Sequence, residues 1–124
     1  MNKIILIGRL TKDIEIRYTQ NQKEVGSFDL AVNRNYKNAN GGHDTDFFKC
    51  IAWGNLAKTI QTYTSKGSQI AIEGRVENRR YQAQDGTNRY VTEVVVEGMQ
   101  LLDSKKNNTT NNQEEIYSGE DLPF

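Results

Sequence analysis

Residues 46–53 read Asp-Phe-Phe-Lys-Cys-Ile-Ala-Trp. The stretch is rich in aromatic and β-branched residues, which favour a pleated, half-buried strand. Because side chains alternate along a strand, Phe47, Lys49 and Trp53 share one face and Cys50 lies on the other. Phe47 and Trp53 are then about 20 Å apart, at about 3.3 Å per residue. Alternation alone leaves open whether these two aromatics are exposed or packed in the core.

The segments around this strand also have the patterns of strands. Apolar or alternating runs occupy residues 3–10, 27–32, 70–77 and 90–102. Asp85-Gly86 separates the last two runs, and this dipeptide is a strong hairpin turn signal. The sequence therefore predicts five strands, of which the fourth and fifth form a hairpin.

One segment, directly after residue 54, has helical spacing instead. Leu56, Ile60 and Tyr63 recur at helical intervals, and Asn55 can serve as the N-cap. The order of elements is three strands, one helix and two strands, without repeats or βαβ alternation. This order predicts an all-β fold, a five-stranded Greek-key OB-fold barrel with one helix between strands 3 and 4. Periodicity alone does not exclude another small β-rich fold.

The charge divides the chain into two unlike parts. The 124 residues contain 16 basic and 16 acidic side chains, for a formal net charge of zero. Residues 103–124 carry two basic and five acidic groups, so residues 1–102 have a net charge of +3. Residues 104–113 contain no apolar side chain, which predicts a disordered linker. We expect a domain over 1–102 and a disordered linker with an acidic tip over 103–124, and the overall neutrality does not exclude a nucleic-acid partner.

The sequence contains few candidates for catalytic or metal-binding residues. Cys50 and His43 are the only cysteine and histidine, so there is no disulfide framework and no cluster with metal-ligand spacing. A single cysteine within a strand is more often a core residue than a nucleophile. No apolar run is long enough for a membrane span or a signal peptide. We predict a cytoplasmic protein without catalytic activity, cofactor or metal.

Aromatic residues stand beside basic ones in several segments. Tyr36 follows Arg34 in a polar stretch that reads as a loop, and Arg75, Arg79 and Tyr81 share one face of the fourth predicted strand. A single strand arginine is more often simply solvated. Together with an OB-fold, however, exposed aromatics among cations suit single-stranded nucleic acid, because bases stack on the rings and cations meet phosphates. Stacking residues ignore the 2′-hydroxyl, so RNA is not excluded.

Seven short stretches carry a family resemblance. They read NKIILIGRL (2–10), FDLAV (28–32), DFFKCIAWG (46–54), KGS (66–68), IEGR (72–75), YVTEV (90–94) and EDLPF (120–124). With these stretches the chain closely resembles the bacterial-type single-stranded DNA-binding proteins that coat DNA during replication, recombination and repair. The resemblance covers nearly the whole chain except the linker.

The resemblance implies an OB-fold, a homotetramer and specific roles for individual residues. It implies base stacking on Tyr36, Phe47, Trp53 and Tyr81. It places a subunit contact at Phe48 and a partner-binding tip at the end of the chain, formed by Glu120, Asp121, Leu122, Pro123 and Phe124. The nearby cations are the expected phosphate contacts; they are Lys49, Arg75 and Arg79, followed by Arg9, Arg34 and Lys37.

These observations predict sequence-tolerant binding and protection of single-stranded DNA, with recruitment of replication, recombination and repair proteins through the tip. The expected location is the cytoplasm, in association with the nucleoid. The alternative is an OB-fold accessory of replication restart or an RNA-binding module on the same fold. The acidic tip favours the DNA-coating role, because in the resembling family the tip binds partner proteins.

Overall fold

The computed structural model describes residues 1–103 of the chain. They form six strands and one helix. The elements are β1 (Ile4–Leu10), β2 (Glu15–Tyr18), β3 (Glu24–Lys37), β4 (His43–Trp53), α1 (Asn55–Tyr63), β5 (Gln69–Gln82) and β6 (Asn88–Leu101). The apolar or alternating runs of the sequence match β1, β3, β4, β5 and β6, with Lys3 and Leu102 just outside β1 and β6.

Five of the strands close into a barrel. The sheet order is β1-β5-β6-β4-β3-β2, and β1 also pairs with β3 at Arg9↔Ala31 and Leu10↔Leu30, which closes the circle. All pairs are antiparallel except β4 with β6. The helix lies between β4 and β5, the third and fourth strands of the barrel in chain order. The predicted all-β barrel with one helix at this position is therefore confirmed.

The core is built by the inward side chains of the strands and by one face of the helix. Leu30, Cys50, Ile72 and Met99 are fully buried, and Ile60 of α1 joins the same cluster. Close packing also depends on Gly8, where a Cβ would collide with the carbonyl oxygen of Ala31. Among residues 1–103, no helix has the length and apolar character that a membrane crossing needs.

Two hairpins project from the same end of the barrel. The parallel strands β4 and β6 pair only at Cys50↔Val94 and Ile51↔Val95. β4 begins seven residues before Cys50, and β6 begins six residues before Val94. β4 therefore extends about 24 Å and β6 about 20 Å beyond this pairing, at about 3.4 Å per residue. We call the exposed parts the β3–β4 arm (residues 33–46) and the β5–β6 arm (residues 78–92).

Several local details differ from the sequence-based expectation. β2 was not predicted, and Tyr36 lies within β3 rather than in a loop. Asn55 does not cap the helix; the N-cap is Gly54, which has φ 64° and makes no side-chain cap hydrogen bond. The predicted turn at Asp85-Gly86 is present, and Gly86 adopts φ 88° there. A positive φ costs glycine little, which suits it to this turn.

Candidate nucleic-acid interface

The outer face of β4 presents two large aromatics to solvent. Phe47 is 66% exposed and Trp53 is 47% exposed, whereas Cys50 is fully buried on the opposite face. Lys49 lies between the two rings and is also exposed. The sequence left open whether Phe47 and Trp53 pack in the core, and the structure shows that both are exposed. Burial raises the pKa of the Cys50 thiol to about 12, so this cysteine remains protonated at neutral pH.

Two rows of paired residues cross β3 and bring an arginine towards each of these aromatics. The rows are Arg9–Ala31–Phe47 and Arg17–Val25–Trp53. Neighbouring strands are about 4.8 Å apart, so each arginine backbone is about 10 Å from that of its aromatic. Arg17 was not among the predicted phosphate contacts, because the strand that carries it, β2, was not predicted. The alternation of Glu15, Ile16 and Arg17 is the signal that could have found it.

An open groove lies along the first of these rows. Its volume is about 300 Å³, and its lining includes Ile7, Arg9, Ala31, Phe47 and Gln69. Arg9 donates a hydrogen bond to the carbonyl oxygen of Gly67 at 2.8 Å, and its Nη1 atom lies 3.6 Å from a carboxylate oxygen of Asp103. The groove therefore joins one exposed ring, an aliphatic side chain and a cation on a concave surface.

Arg34 is held within the β3–β4 arm. Its Nε and Nη2 atoms donate to the two carboxylate oxygens of Asp46 at 3.0 Å each, and Nη1 donates to the hydroxyl of Tyr36 at 3.1 Å. These hydrogen bonds from Arg34 hold the pKa of Asp46 below its ordinary value. Asp46 and Phe47 are consecutive residues of β4, so their side chains lie on opposite sides of the strand. Because Arg34 joins Tyr36 to Asp46, the Tyr36 hydroxyl is held on the side opposite Phe47.

Arg75 and Arg79 also have carboxylate partners. Arg75 donates to Glu77 at 2.8 Å and to Glu97 at 2.9 Å, and these contacts raise the pKa of its guanidinium. Arg79 donates to Glu93 at 2.9 Å. Glu93 is only 7% exposed, and it is the one buried charged residue in the described part of the chain. Arg34, Arg75 and Arg79 are therefore already hydrogen-bonded to carboxylates, and Arg9, with Asp103 at 3.6 Å, is the fourth predicted phosphate contact in an ion pair.

The predicted lysines differ from these arginines. Within residues 1–103, neither Lys37 nor Lys49 has a carboxylate oxygen within 4.0 Å of its ammonium group. Lys37 ends β3 at the tip of its arm, and Lys49 stands directly opposite Asp29 on β3. Among the predicted phosphate contacts, these two lysines have the charges most available to an anionic ligand.

The remaining predicted residues lie on separate parts of the barrel. Tyr81 is 45% exposed on the β5–β6 arm, on the same side as Arg79. Phe48 is half-buried and packs against the core, on the face of β4 opposite Phe47. The predicted tip, residues 120–124, is outside the described residues. The structure thus brings Phe47, Lys49 and Trp53 together on one face, while the other predicted aromatics lie on the arms.

Comparison with known proteins places the chain in one family. The model of the Single-strand binding protein family matches residues 1–102. The chain is 41% identical to Single-stranded DNA-binding protein 3 of Streptococcus agalactiae, over all of this chain and 99% of that protein. It is 48% identical to Single-stranded DNA-binding protein 1 of Streptococcus pyogenes, over 90% and 85% of the two chains. It is 43% identical to Single-stranded DNA-binding protein 3 of Listeria innocua, over 98% and 79%.

Proposed function

Because this chain belongs to the Single-strand binding protein family, we propose that it coats single-stranded DNA with little sequence preference. In this proposal it protects the strand during replication, recombination and repair, in the cytoplasm and in association with the nucleoid. The proposal contains no catalytic step and no cofactor. DNA is bound on the outer face of β4 and on the two arms.

The exposed rings of Phe47 and Trp53 are the observation that carries this proposal. Large aromatic side chains usually supply core packing, and these two lie in solvent on either side of Lys49. A base stacked on each ring contributes about 1–3 kcal/mol. With Tyr36 and Tyr81 as further platforms, stacking contributes at most about 4–12 kcal/mol in total. Every base has a π-face, which accounts for tolerance of sequence.

In this proposal the basic residues differ in how much they contribute to phosphate binding. Lys49 and Lys37 meet phosphates directly, and Arg9 and Arg17 meet phosphates beside Phe47 and Trp53. The arginines whose guanidinium groups donate hydrogen bonds to carboxylates contribute less, because a phosphate must first displace the partner; they are Arg34, Arg75 and Arg79. Exposed ion pairs are worth only about 0–1 kcal/mol, so this displacement is feasible at Arg34 and Arg75.

We also propose that the protein is a homotetramer with Phe48 at a subunit contact. Self-association is supported by the outer face of β1, where Ile5 is 68% exposed and Ile7 lies beside it. On its β3 side, β1 pairs only at Arg9 and Leu10, so residues 4–8 leave that edge unpaired in the described part of the chain. Sedimentation tests this assembly, and a monomer at micromolar concentration would contradict it. Phe48→Ala should lower the mass while the chain stays folded.

The acidic tip is the proposed site for replication, recombination and repair proteins. Glu120 and Asp121 supply charge, and Leu122 and Phe124 supply apolar area. Pro123 biases Leu122 towards an extended backbone, which reduces the entropy lost on docking. A chain lacking residues 120–124 should lose binding to such enzymes while it keeps DNA binding.

Fluorescence of Trp53 tests the DNA-binding surface directly. Trp53 is the only tryptophan, so its emission reports one position in each subunit. We expect oligothymidylate to quench this emission strongly. Unchanged emission, under conditions where anisotropy of a labelled oligonucleotide shows binding, would contradict stacking on Trp53. Oligouridylate of the same length tests the RNA-binding alternative, which predicts equal or tighter binding of the RNA.

A further inference from the structure

The β5–β6 arm carries a tyrosine directly opposite an arginine on each of its sides. Tyr81 is directly opposite Arg89, and Arg80 is directly opposite Tyr90. Because consecutive residues of a strand point to opposite faces, these two cross-strand pairs lie on opposite sides of the arm. Tyr90 is 70% exposed, more than any of the four predicted stacking residues.

The side that holds Arg80 and Tyr90 continues the core-facing side of the barrel. Val76 and Val94 pair within the barrel, and every second pair beyond them lies on the same side. Strands of a closed barrel turn this side towards the barrel axis. Arg80 and Tyr90 therefore lie on the side of the arm that continues the core-facing surface of the barrel.

The β3–β4 arm carries a tyrosine on the corresponding side. Phe48 packs against the core, and Asp46 follows it on the same side of β4. Asp46 binds Arg34, which in turn binds the hydroxyl of Tyr36. Tyr36 and Tyr90 are thus both on core-facing sides of arms that project from the same end of the barrel.

The positive charge of Arg80, on the core-facing side of the β5–β6 arm, has no carboxylate partner in the described residues. Arg80 is the only charged side chain among the six residues that occupy it, which are Asn78, Arg80, Gln82, Asn88, Tyr90 and Thr92. Within residues 1–103 no carboxylate oxygen lies within 4.0 Å of the Arg80 guanidinium. The other side of the arm is different, because Arg79 there binds the buried Glu93.

We infer that Tyr90 and Arg80 form a second nucleotide-binding surface, which stacks one base and meets one phosphate of single-stranded DNA. The inference rests on the proposed function, which places DNA on the arms, and it assigns two further residues on the core-facing side of the β5–β6 arm to that binding. An aromatic ring beside an uncompensated cation suits a nucleotide. A subunit contact would instead need apolar area, and this side carries no aliphatic residue.

A relocated tryptophan tests the surface directly. In the full chain with Trp53→Phe, Tyr90→Trp creates a single reporter on the core-facing side of the arm. Tyr81→Trp in the same background reports the other side, and Tyr63→Trp on α1 is the control away from both. Oligothymidylate should quench the emission of the Tyr90→Trp and Tyr81→Trp chains and leave that of the Tyr63→Trp chain unchanged. Anisotropy of a labelled oligonucleotide, measured in parallel, establishes that each variant binds.

Affinity gives a second, independent measurement. Tyr90→Ala should weaken binding of oligothymidylate by about 5- to 150-fold, the range for loss of one stacked base. Arg80→Ala should lower the slope of log K against log salt by about 0.7, the value for one phosphate of a single strand. Because both side chains are exposed, the thermal midpoint should remain that of the original chain.

The outcomes separate this inference from the proposed function. If the variants bind the labelled oligonucleotide while Tyr90→Trp is not quenched and Tyr90→Ala binds like the original chain, the inference is wrong and the proposed function stands. If the original chain does not bind oligothymidylate at all, the proposed function fails first. If Tyr90→Ala lowers the sedimenting mass, the surface is a subunit contact and the inference is overturned.

Discussion

Lys49→Ala and Arg75→Ala are expected to affect DNA binding differently, although each removes one positive charge. Lys49 stands between the exposed rings of Phe47 and Trp53, with no carboxylate oxygen within 4.0 Å of its ammonium group in residues 1–103. Arg75 lies 2.8 Å from Glu77 and 2.9 Å from Glu97. The two variants have the same net charge, so any difference between them reports the local contact.

The expected difference is large enough to measure. Each phosphate neutralised on a single strand contributes about 0.7 to the slope of log K against log salt. Losing the Lys49 contact should reduce the slope by this amount. Between 50 and 200 mM salt the affinity ratio of the original chain to Lys49→Ala then falls by about 2.6-fold. Arg75→Ala should change the slope by much less, because Glu77 and Glu97 already neutralise the guanidinium.

Titration of labelled oligothymidylate at four or more salt concentrations, followed by anisotropy, gives the two slopes. Lys49 is exposed, and Arg75 is half-buried but bonds only to the exposed carboxylates of Glu77 and Glu97, so urea unfolding should give similar stabilities for the two variants. Equal reductions of the slope would refute the reasoning, since they would mean that the carboxylates do not compete with phosphate. A larger reduction for Arg75→Ala would place the main phosphate contact on β5 instead.

Three further experiments test other parts of the structure. Gly74→Ala should destabilise the fold by about 1–3 kcal/mol in urea unfolding, because its Cβ would collide with the carbonyl oxygen of Val95; Gly42→Ala, with open space around it, is the control and should change stability by less than about 0.5 kcal/mol. Cys50, whose thiol has a pKa raised to about 12 by burial, should react with a thiol reagent at pH 8 only after denaturation; rapid labelling of the folded protein would contradict its burial. A chain ending at Asp103 should bind oligothymidylate at least as tightly as the full chain at low salt, with the difference shrinking as salt rises, because the acidic tail competes for the basic body. Much weaker binding by the folded, shortened chain would assign the tail to the DNA site.

The barrel could be predicted from the sequence because its strands have strong periodicity. On β4, alternation alone put Cys50 opposite Phe47, Lys49 and Trp53, and this arrangement is confirmed. The position of the helix followed from Leu56 and its helical repeats. Exposure of Phe47 and Trp53 could not be derived in this way, because period 2 separates the two faces without saying which one is buried.

The parts that were missed lack such a signal or depend on distant residues. β2 has only four residues, and its one aliphatic side chain, Ile16, is half-buried. The arms are polar on both sides, so Tyr36 read as a loop residue although its backbone is in β3. The partners of Arg75 and Arg79 include Glu97 and Glu93 on β6, which only the folded register brings near. No local pattern encodes such pairs.

The projection of the arms has a consequence for local stability. Beyond the barrel each arm has only two strands, and an isolated two-stranded hairpin is marginally stable in water. Backbone amides of residues 33–46 and 78–92 should therefore exchange hydrogen for deuterium sooner than those of the barrel, through openings that leave the core intact. Residues such as Tyr36, Tyr81 and Tyr90 then adjust to a strand without unfolding the domain, and a bound oligonucleotide slows exchange in both arms.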